Sequence, residues 1–247
     1  MQISINISGL QKLQTQLGNQ AKQANYAASR ALTTTAYALN TRLKTDMAST
    51  FAGGATAYTL RAFRVEPARR DNLQAIVALR TDSAGAALPY AKALAHLFTG
   101  GRRSFKKIEG WLRARRLLPN GYTIAPGAGM PLDRFGNMRQ AALTEMLGVI
   151  GNQRTNLRIY RRTGAGKAQK AVGYFVALPD DKSGRFPGIY KRIETGSTSV
   201  LSPMVLFVRP TTYRRFIDLQ RVGREVVDKT FDSAFSSEFA KAMANAK

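Results

Sequence analysis

The chain has 247 residues, of which 44% are hydrophobic and 21% are charged, so it can bury a core and does not have the composition of a disordered polypeptide. Lysine and arginine number 38 against 15 acidic residues, and the formal net charge of +23 predicts an anionic partner rather than a near-neutral metabolic enzyme. The chain has no cysteine and one histidine, which excludes disulfides, cysteine–zinc sites and any triad or metal site that needs several histidines from one chain.

The first half of the chain predicts strands separated by helices. Isoleucines alternate with polar residues near the N-terminus, as in a strand, and Ser8-Gly9-Leu10-Gln11 then fits a capping box. The helix that follows has an alanine-rich stripe, which lets a neighbouring element approach closely. The predicted elements are a strand at Gln2–Ser8, a long helix whose apolar residues run from Leu10 to Leu43, strands at Arg61–Glu66 and Leu73–Arg80, and a helix at Pro89–Phe98.

The second half predicts a helical and loop-rich region, then strands, then a long helix. The predicted elements are helices at Ser104–Leu118 and Met138–Ile150 with an irregular loop at Pro119–Asn137 between them, a tether at Thr163–Lys170, strands at Val172–Leu178, Gly188–Ile193 and Met204–Val208, and a C-terminal helix at Thr211–Ala246. This order predicts an α+β fold with an antiparallel or mixed sheet packed against the long N- and C-terminal helices.

The predicted domain organisation is one elaborated domain over residues 1–247. Its core consists of residues 1–98 and 171–247, and residues 99–170 form a basic insertion. Residues 98–170 carry 15 Lys and Arg side chains and three acids, so about half of the net charge lies in under a third of the chain. We expect this region to bind phosphate groups or an acidic protein surface.

The residues predicted to contact DNA or an acidic partner share a positive charge and lie in clusters. A second basic pair, Arg214 and Arg215, is placed at the start of the last helix, where the helix dipole disfavours cations. Either the pair faces a partner, or the helix starts later or water screens both charges. The predicted contact residues are Arg102, Arg103, Lys106, Lys107, Arg113, Arg115, Arg116, Arg158, Arg161, Arg162, Arg214 and Arg215.

No catalytic or cofactor-binding constellation is found in the sequence. Gly164-Ala-Gly-Lys167 lacks the first glycine and the Ser or Thr of a phosphate-binding loop. The acid pairs Glu66 with Asp71 and Asp180 with Asp181 have the usage of ordinary turns, and Asp133 anchors a turn without the alternating acids of a calcium loop. We therefore expect no enzyme activity, no metal and no cofactor. Aromatic residues do not interleave regularly with the basic clusters, and no nucleic-acid-binding motif is present.

The chain resembles the lambda-type minor tail protein Z family, the tail-completion proteins of long-tailed bacteriophages and prophages. The resemblance covers nearly the whole chain, and its motifs are structural rather than catalytic. It rests on the strand Gln2–Ser8 with Gly9-Leu10, the helix Ala27–Met47 with Arg30-Ala31-Leu32 and Ala36, Tyr58-Thr59-Leu60, Phe63–Pro67, Leu117-Leu118-Pro119, Ala125-Pro126-Gly127, Leu132–Met138, Gly188–Arg192, Val205–Val208 and the long C-terminal helix.

The resemblance implies a structural virion protein, assembled in the host cytoplasm, that completes the tail at the head-proximal end of the tail tube and enables head–tail joining. It implies a homo-oligomeric ring, sixfold by family analogy, whose partners are the tail terminator, the tail tube, the head-completion ring and, non-specifically, the passing DNA. No apolar stretch approaches the roughly 20 residues of a membrane-spanning helix, so we expect no membrane partner.

Two other functions remain open from the sequence. A sequence-independent DNA-binding protein that is not part of a virion predicts tight, salt-sensitive duplex binding without an ordered ring. A phage nuclease requires two or three carboxylates that converge on a metal, and the sequence shows no such cluster.

Overall fold

The computed structural model describes residues 1–6, 21–81, 89–151, 159–161, 170–179, 184–195 and 198–245. The helices are α1 (Ala21–Thr50), α2 (Ala57–Leu60), α3 (Tyr90–Thr99), α4 (Lys107–Ala114), α5 (Gln140–Gly151) and α6 (Leu219–Ala244). The strands are β1 (Gln2–Asn6), β2 (Phe63–Glu66), β3 (Gln74–Leu79), β4 (Gly101–Arg102), β5 (Thr123–Pro126), β6 (Ile159–Arg161), β7 (Lys170–Ala177), β8 (Gly188–Thr195), β9 (Thr198–Val208) and β10 (Thr212–Tyr213).

The predicted α+β class is confirmed, with a long alanine-rich helix near the N-terminus and a long helix at the C-terminus. All strand pairs among the described residues are antiparallel. They form a three-stranded sheet in the order β1-β3-β2, a two-stranded sheet of β4 and β10, and a five-stranded sheet in the order β5-β9-β8-β7-β6.

The structure differs from the predicted elements at several places, among them β9, which begins at Thr198 rather than Met204, and the short strands β4 and β10, which were not predicted. The predicted helix Ser104–Leu118 contracts to α4, and the predicted loop Pro119–Asn137 contains the strand β5. The last helix begins at Leu219 rather than Thr211, because the side chain of Asp218 caps it by accepting hydrogen bonds from the backbone N–H groups of its first turn. The Ser8 capping box, most of the Thr163–Lys170 tether and the turn at Asp180 lie outside the described residues.

The chain divides into two compact units, and the second unit is inserted between two segments of the first. Unit 1 comprises residues 1–104 and 212–247, and unit 2 comprises residues 105–211. The sequence-based division placed residues 171–211 with the core, whereas the strands in this stretch pair within the five-stranded sheet of unit 2.

The core of unit 1 forms where one face of the three-stranded sheet meets α1, α3 and α6. Leu32, Leu39 and Leu43 of α1 are fully buried and pack with Val77 of β3 and Val222 of α6. The alanine stripe of α1 is also buried, with Ala24, Ala27, Ala28 and Ala31 at most 2% exposed. The alanine stripe therefore packs against other parts of the same chain.

The core of unit 2 lies between one face of the five-stranded sheet and the helices α4 and α5. Leu112 of α4 and Met146 of α5 are fully buried against Ile189, Val205 and Phe207 of the sheet. Residues that alternate with these along β7 and β8 point to the opposite face of the sheet.

Candidate functional site

Most of the predicted contact residues that the structure describes are exposed cations. Arg103 and Arg113 are half-buried because each donates a hydrogen bond to a backbone carbonyl oxygen, that of Ser104 at 3.2 Å and that of Tyr122 at 2.7 Å. Arg158 and Arg162 lie outside the described residues, and for Arg161 only the backbone is described, in β6. The exposed members of the set are Arg102, Lys106, Lys107, Arg115, Arg116, Arg214 and Arg215.

The predicted residues do not belong to one structural unit. Arg102 and Arg103 lie in unit 1 together with Arg214 and Arg215, whereas the cations from Lys106 to Arg116 lie in unit 2. In unit 1, Arg102 of β4 pairs in register with Thr212 of β10, so the antiparallel β4–β10 pair brings the two segments of the unit together near these cations.

The placement of Arg214 and Arg215 at the start of the last helix was wrong. Both residues precede α6, and Arg215 forms an ion pair with the capping carboxylate of Asp218 at 2.7 Å. The pKa of Asp218 is lowered chiefly by the hydrogen bond from the backbone N–H of Arg221, with a further contribution from the charge of Arg215. Arg215 is thus placed to complement the helix cap, and the argument from an unfavourable helix dipole does not apply.

His96, the one histidine of the chain, lies in the last turn of α3, half-buried beside the ring of Tyr213, with ring centroids 5.2 Å apart. Its pKa is lowered from 6.5, first because burial disfavours the charged imidazolium and also because the positive charge of Arg103 repels it; the backbone carbonyl of Ala93 acts in the opposite direction. His96 is therefore a neutral packing residue at pH 7.

The start of α4 is held by a buried carboxylate that sequence reasoning counted only as a local acid. Glu109 is fully buried, and its Oε2 accepts a hydrogen bond from the backbone N–H of Lys106 at 2.7 Å. Its Oε1 accepts from the backbone N–H of Ile124 in β5 at 2.9 Å. One side chain thus caps α4 and ties it to the edge strand of the sheet, which leaves the cations of α4 on the outer side of this junction.

The end of α4 carries arginines that stack on aromatic rings. The guanidinium of Arg113 lies 3.8 Å from the ring centroid of Phe105, and that of Arg115 lies 3.8 Å from the ring centroid of Trp111. Sequence reasoning found no regular interleaving of aromatic and basic residues, yet the structure pairs them. The Trp111–Arg115 spacing of four residues on a helix was a usable signal.

A further cation, absent from the predicted set, lies beside these arginines. Arg209 follows β9, is exposed, and stacks on the ring of Tyr122 at 4.4 Å. Tyr122 immediately precedes β5, and the register that pairs Thr123 with Val208 brings Tyr122 and Arg209 together. This contact joins residues 87 positions apart in the sequence numbering, so only the strand pairing reveals it.

Both units stabilise cations with acids and with aromatic rings. In unit 1, acidic side chains pair with Arg30, Arg42, Arg64, Arg215 and Arg221, while Arg70 and Arg214 lie over rings. In the described part of unit 2, Lys191 pairs with Glu145, and the arginines that lie over aromatic rings are those at positions 113, 115, 134, 185, 192 and 209. A ring stabilises a guanidinium without cancelling its charge, so the positive field of unit 2 stays available to a partner.

Two of the acids that the sequence singles out, Glu66 and Asp133, have structural contacts, and Asp71 is exposed. Glu66 forms an ion pair with Arg64 at 2.8 Å. Asp133 anchors its turn by accepting hydrogen bonds from the backbone N–H groups of Phe135 and Asn137, and the hydrogen bond from Asn137 is the main cause of its lowered pKa. Among the described residues, no three His, Cys, Asp or Glu side chains come together in a group that could hold a metal ion.

Asp180, Asp181 and the segment Gly164–Lys167 lie outside the described residues, so the expectations for them stay predictions. In the part of the chain that the structure covers, no helix has both the length and the hydropathy to cross a membrane.

Comparisons with models of known protein families, with characterised proteins and with solved structures find no match to this chain. The resemblance to the tail-completion family therefore stays a prediction.

Proposed function

We propose that the protein is a structural component of a long-tailed phage particle that completes the tail at the head-proximal end of the tail tube and makes it competent to join the head. The observation that carries the proposal is the agreement between the elements on which the resemblance rests and those of the fold. The segments on which the resemblance rests form the strand β1, the alanine-rich helix α1, the strands β8 and β9 and the C-terminal helix α6, as the sequence patterns predict.

The electrostatics of the described surface support a role beside DNA or an acidic neighbouring ring. The formal charge is +23, and several cations of the region between α3 and β5 are exposed. No acidic side chain of the described residues pairs with Arg102, Lys107, Arg115 or Arg116. Dense like charges repel one another in the isolated protein, so a surface of this kind is stabilised when a partner neutralises it.

Assembly into a closed ring, six copies by family analogy, is part of this proposal. The three-stranded sheet has β1 and β2 at its edges, and the five-stranded sheet has β5 and β6 at its edges. Unpaired strand edges are a common means by which subunits contact each other, and closed symmetry is the usual result in homo-oligomers. The partners would be the tail terminator, the tail tube and the head-completion ring, with passing DNA as a non-specific contact, and the location would be the virion.

A charge-reversal variant tests the proposed function. The variant replaces four cations together by glutamate: Arg102, Arg103, Lys106 and Lys107. Each replacement changes the charge by about two units, so the partner surface meets about eight units less of positive charge. The yield of joined, infectious particles should therefore fall while the purified protein stays folded. The matched control reverses four other exposed cations, all in unit 1, at Lys22, Arg61, Arg224 and Lys229. Normal joining by the folded test variant, or an equal loss in the control, would contradict the role of the four replaced cations.

A second candidate function is a sequence-independent DNA-binding protein that is not part of a virion. The specific observation that favours it is the set of arginines stacked on aromatic rings at the end of α4 and beside β5. It predicts that the free protein binds duplex DNA tightly and that no copies are incorporated in particles. Fractionation of purified particles, followed by immunodetection of this chain in tails, separates the two functions.

A further inference from the structure

Arg116 adopts a backbone conformation that disfavours its side chain. Its φ angle is +58°, and among the described residues it is the one non-glycine residue in the left-handed region. The six other described positions with positive φ are all glycine. An L-residue with a side chain is disfavoured in this conformation, because its Cβ approaches the following carbonyl oxygen.

The strained residue closes α4 in a standard helix-ending arrangement. The backbone N–H of Arg116 donates to the carbonyl of Arg113 at 2.8 Å, and that of Leu117 donates to the carbonyl of Leu112 at 2.9 Å. This is the Schellman pattern, in which the left-handed position is usually glycine. Glycine at position 116 would therefore make the folded state more stable than arginine does. The presence of arginine is explained by something other than folding stability.

The helix dipole by itself does not explain why arginine is present at position 116. Cations near a helix C-terminus are favourable, and this accounts for Arg113 and Arg115, which have ordinary backbone angles. The same charge could be placed at a neighbouring exposed position without backbone strain. The side chain of Arg116 is exposed, and it pairs with no carboxylate of the described residues.

Arg116 follows two arginines whose guanidinium groups lie over aromatic rings, Arg113 on Phe105 and Arg115 on Trp111. Arg113 connects the helix to the sheet, since its Nη2 donates to the carbonyl of Tyr122 at 2.7 Å and the ring of Tyr122 carries Arg209. The guanidinium carbon of Arg115 lies 3.8 Å from the ring centroid of Trp111. When the face of a guanidinium covers a ring, its N–H groups point along the plane and remain available to bind oxygen atoms of a ligand.

We infer that Arg115, Arg116 and Arg209 form a binding surface, here called the α4-end surface, for the phosphate groups of double-stranded DNA. The charge on it is of one sign: between residues 105 and 123 the one acid is Glu109, which is buried at the α4–β5 junction. A DNA backbone is negative at about every 1.7 Å of helix axis, which suits a surface without acids. A protein partner would more commonly meet a surface of mixed sign with an apolar centre.

Duplex DNA is favoured over a single strand by the same contacts. Proteins that bind single strands offer uncovered aromatic rings on which bases stack. In the α4-end surface the rings of Trp111 and Tyr122 are each covered by a guanidinium, at 3.8 Å and 4.4 Å. The rings therefore orient the arginines rather than contact bases, and we expect binding that is independent of sequence.

This inference deepens the proposed function, because it names the partner of one part of the basic surface, but it is tested separately. Binding to a fluorescein-labelled 30-base-pair duplex is measured by fluorescence anisotropy with the purified full-length protein over a series of salt concentrations. For each phosphate contact the association constant varies with roughly the −0.9 power of the salt concentration, so one contact is worth about eightfold at 0.1 M relative to 1 M salt.

The decisive variant is Arg116→Gly, which removes the charge and relieves the backbone strain. It should keep or raise the unfolding midpoint, weaken duplex binding by about eightfold at 0.1 M salt, and reduce the magnitude of the logarithmic salt slope by roughly 0.9. The triple variant Arg115→Gln, Arg116→Gly, Arg209→Gln should reduce the magnitude of the logarithmic salt slope by about 2.7. Two duplexes of unrelated sequence should give the same results.

The matched control removes three ion-paired arginines of unit 1, in the variant Arg42→Gln, Arg64→Gln, Arg221→Gln. It changes the net charge by the same amount and should leave a salt slope nearer to that of the unaltered protein. The inference would be overturned if the control reduced the salt slope as much as the triple variant does, or if Arg116→Gly bound the duplex as tightly as the unaltered protein. It would also be overturned if oligo-dT bound more tightly than the duplex and quenched the fluorescence of Trp111. Tighter binding of polyglutamate than of duplex would assign the surface to an acidic protein and would also overturn it. The proposed function is judged instead by head–tail joining, so each can fail alone.

Discussion

Replacing Glu109 by alanine should destabilise unit 2 more than any exposed substitution on α4. The side chain is fully buried and accepts two backbone hydrogen bonds, one from Lys106 at the helix start and one from Ile124 in β5. Alanine keeps the helix propensity high but leaves both N–H groups without this acceptor. The perturbation therefore removes a connection between helix and sheet without adding a steric clash.

The size of the effect follows from how accessible each donor is to water. Ile124 is 4% exposed, so its N–H loses its side-chain acceptor in a buried place, which costs about 2 kcal/mol. The N–H of Lys106 is at the partly exposed helix start, where loss of a capping interaction costs about 1 kcal/mol. We expect a total of about 3 kcal/mol for Glu109→Ala. Glu109→Gln keeps one acceptor oxygen and should cost about half of that.

Urea unfolding followed by tryptophan fluorescence measures this directly, because Trp111 is the one tryptophan of the chain and packs on the core of unit 2. Lys107→Gln on the same helix is the control, since Lys107 is exposed and its loss should change the unfolding free energy by less than about 0.5 kcal/mol. If Glu109→Ala unfolds within 0.5 kcal/mol of the unaltered protein, the argument that this carboxylate joins α4 to the sheet is refuted.

Three other substitutions test the packing of each unit. Folding lowers the pKa of His96 below 6.5, so the neutral imidazole contributes fully to stability above pH 6.5. This contribution is lost as the pH falls through the folded-state pKa. Replacing His96 by Asn should therefore flatten the pH dependence of the unfolding midpoint between pH 7 and 5, as followed by circular dichroism. Gly188→Ala should cost about 1–3 kcal/mol, measured by urea unfolding, because a Cβ there would lie 2.4 Å from the carbonyl oxygen of Val205. Leu39→Ala should cost about 2–5 kcal/mol in thermal or urea unfolding, because Leu39 is fully buried in the core of unit 1.

Regular patterns in the sequence were sufficient to predict most of the long elements. Alternating isoleucines mark β1, and leucines and alanines at helical spacing mark α1, because a core on one side imposes a period of two on a strand and 3.6 on a helix. Asp218 was a readable helix-start signal for α6, and placing the start at Thr211 overlooked it.

The missed strand β5 shows where local composition misleads. Proline and glycine are dense around it, which is typical of a loop, but Pro126 ends a four-residue strand at the edge of the sheet, where a missing N–H is tolerated. Ile124 is buried because it is opposite Phe207 of β9, a residue 83 positions later. Pairing of this kind depends on the whole sheet and leaves no local mark.

The chemistry of the candidate surface was predictable in its charge but not in its arrangement. The count of cations identified the exposed residues of α4, yet the burial of Glu109 depends on the backbone of β5, and the stacking of Arg209 on Tyr122 depends on the β5–β9 register. The positive φ of Arg116 was equally hidden, since the sequence Arg115-Arg116-Leu117 has no glycine to mark the end of a helix.

A cryo-electron microscopy map of the phage or prophage particle that encodes this chain, with subunits assigned from the density, tests whether the protein completes the tail. We expect a closed ring of this protein, sixfold by family analogy, at the head-proximal end of the tail tube. Particles without the protein, or with one asymmetric copy away from the head–tail joint, would contradict the proposed function.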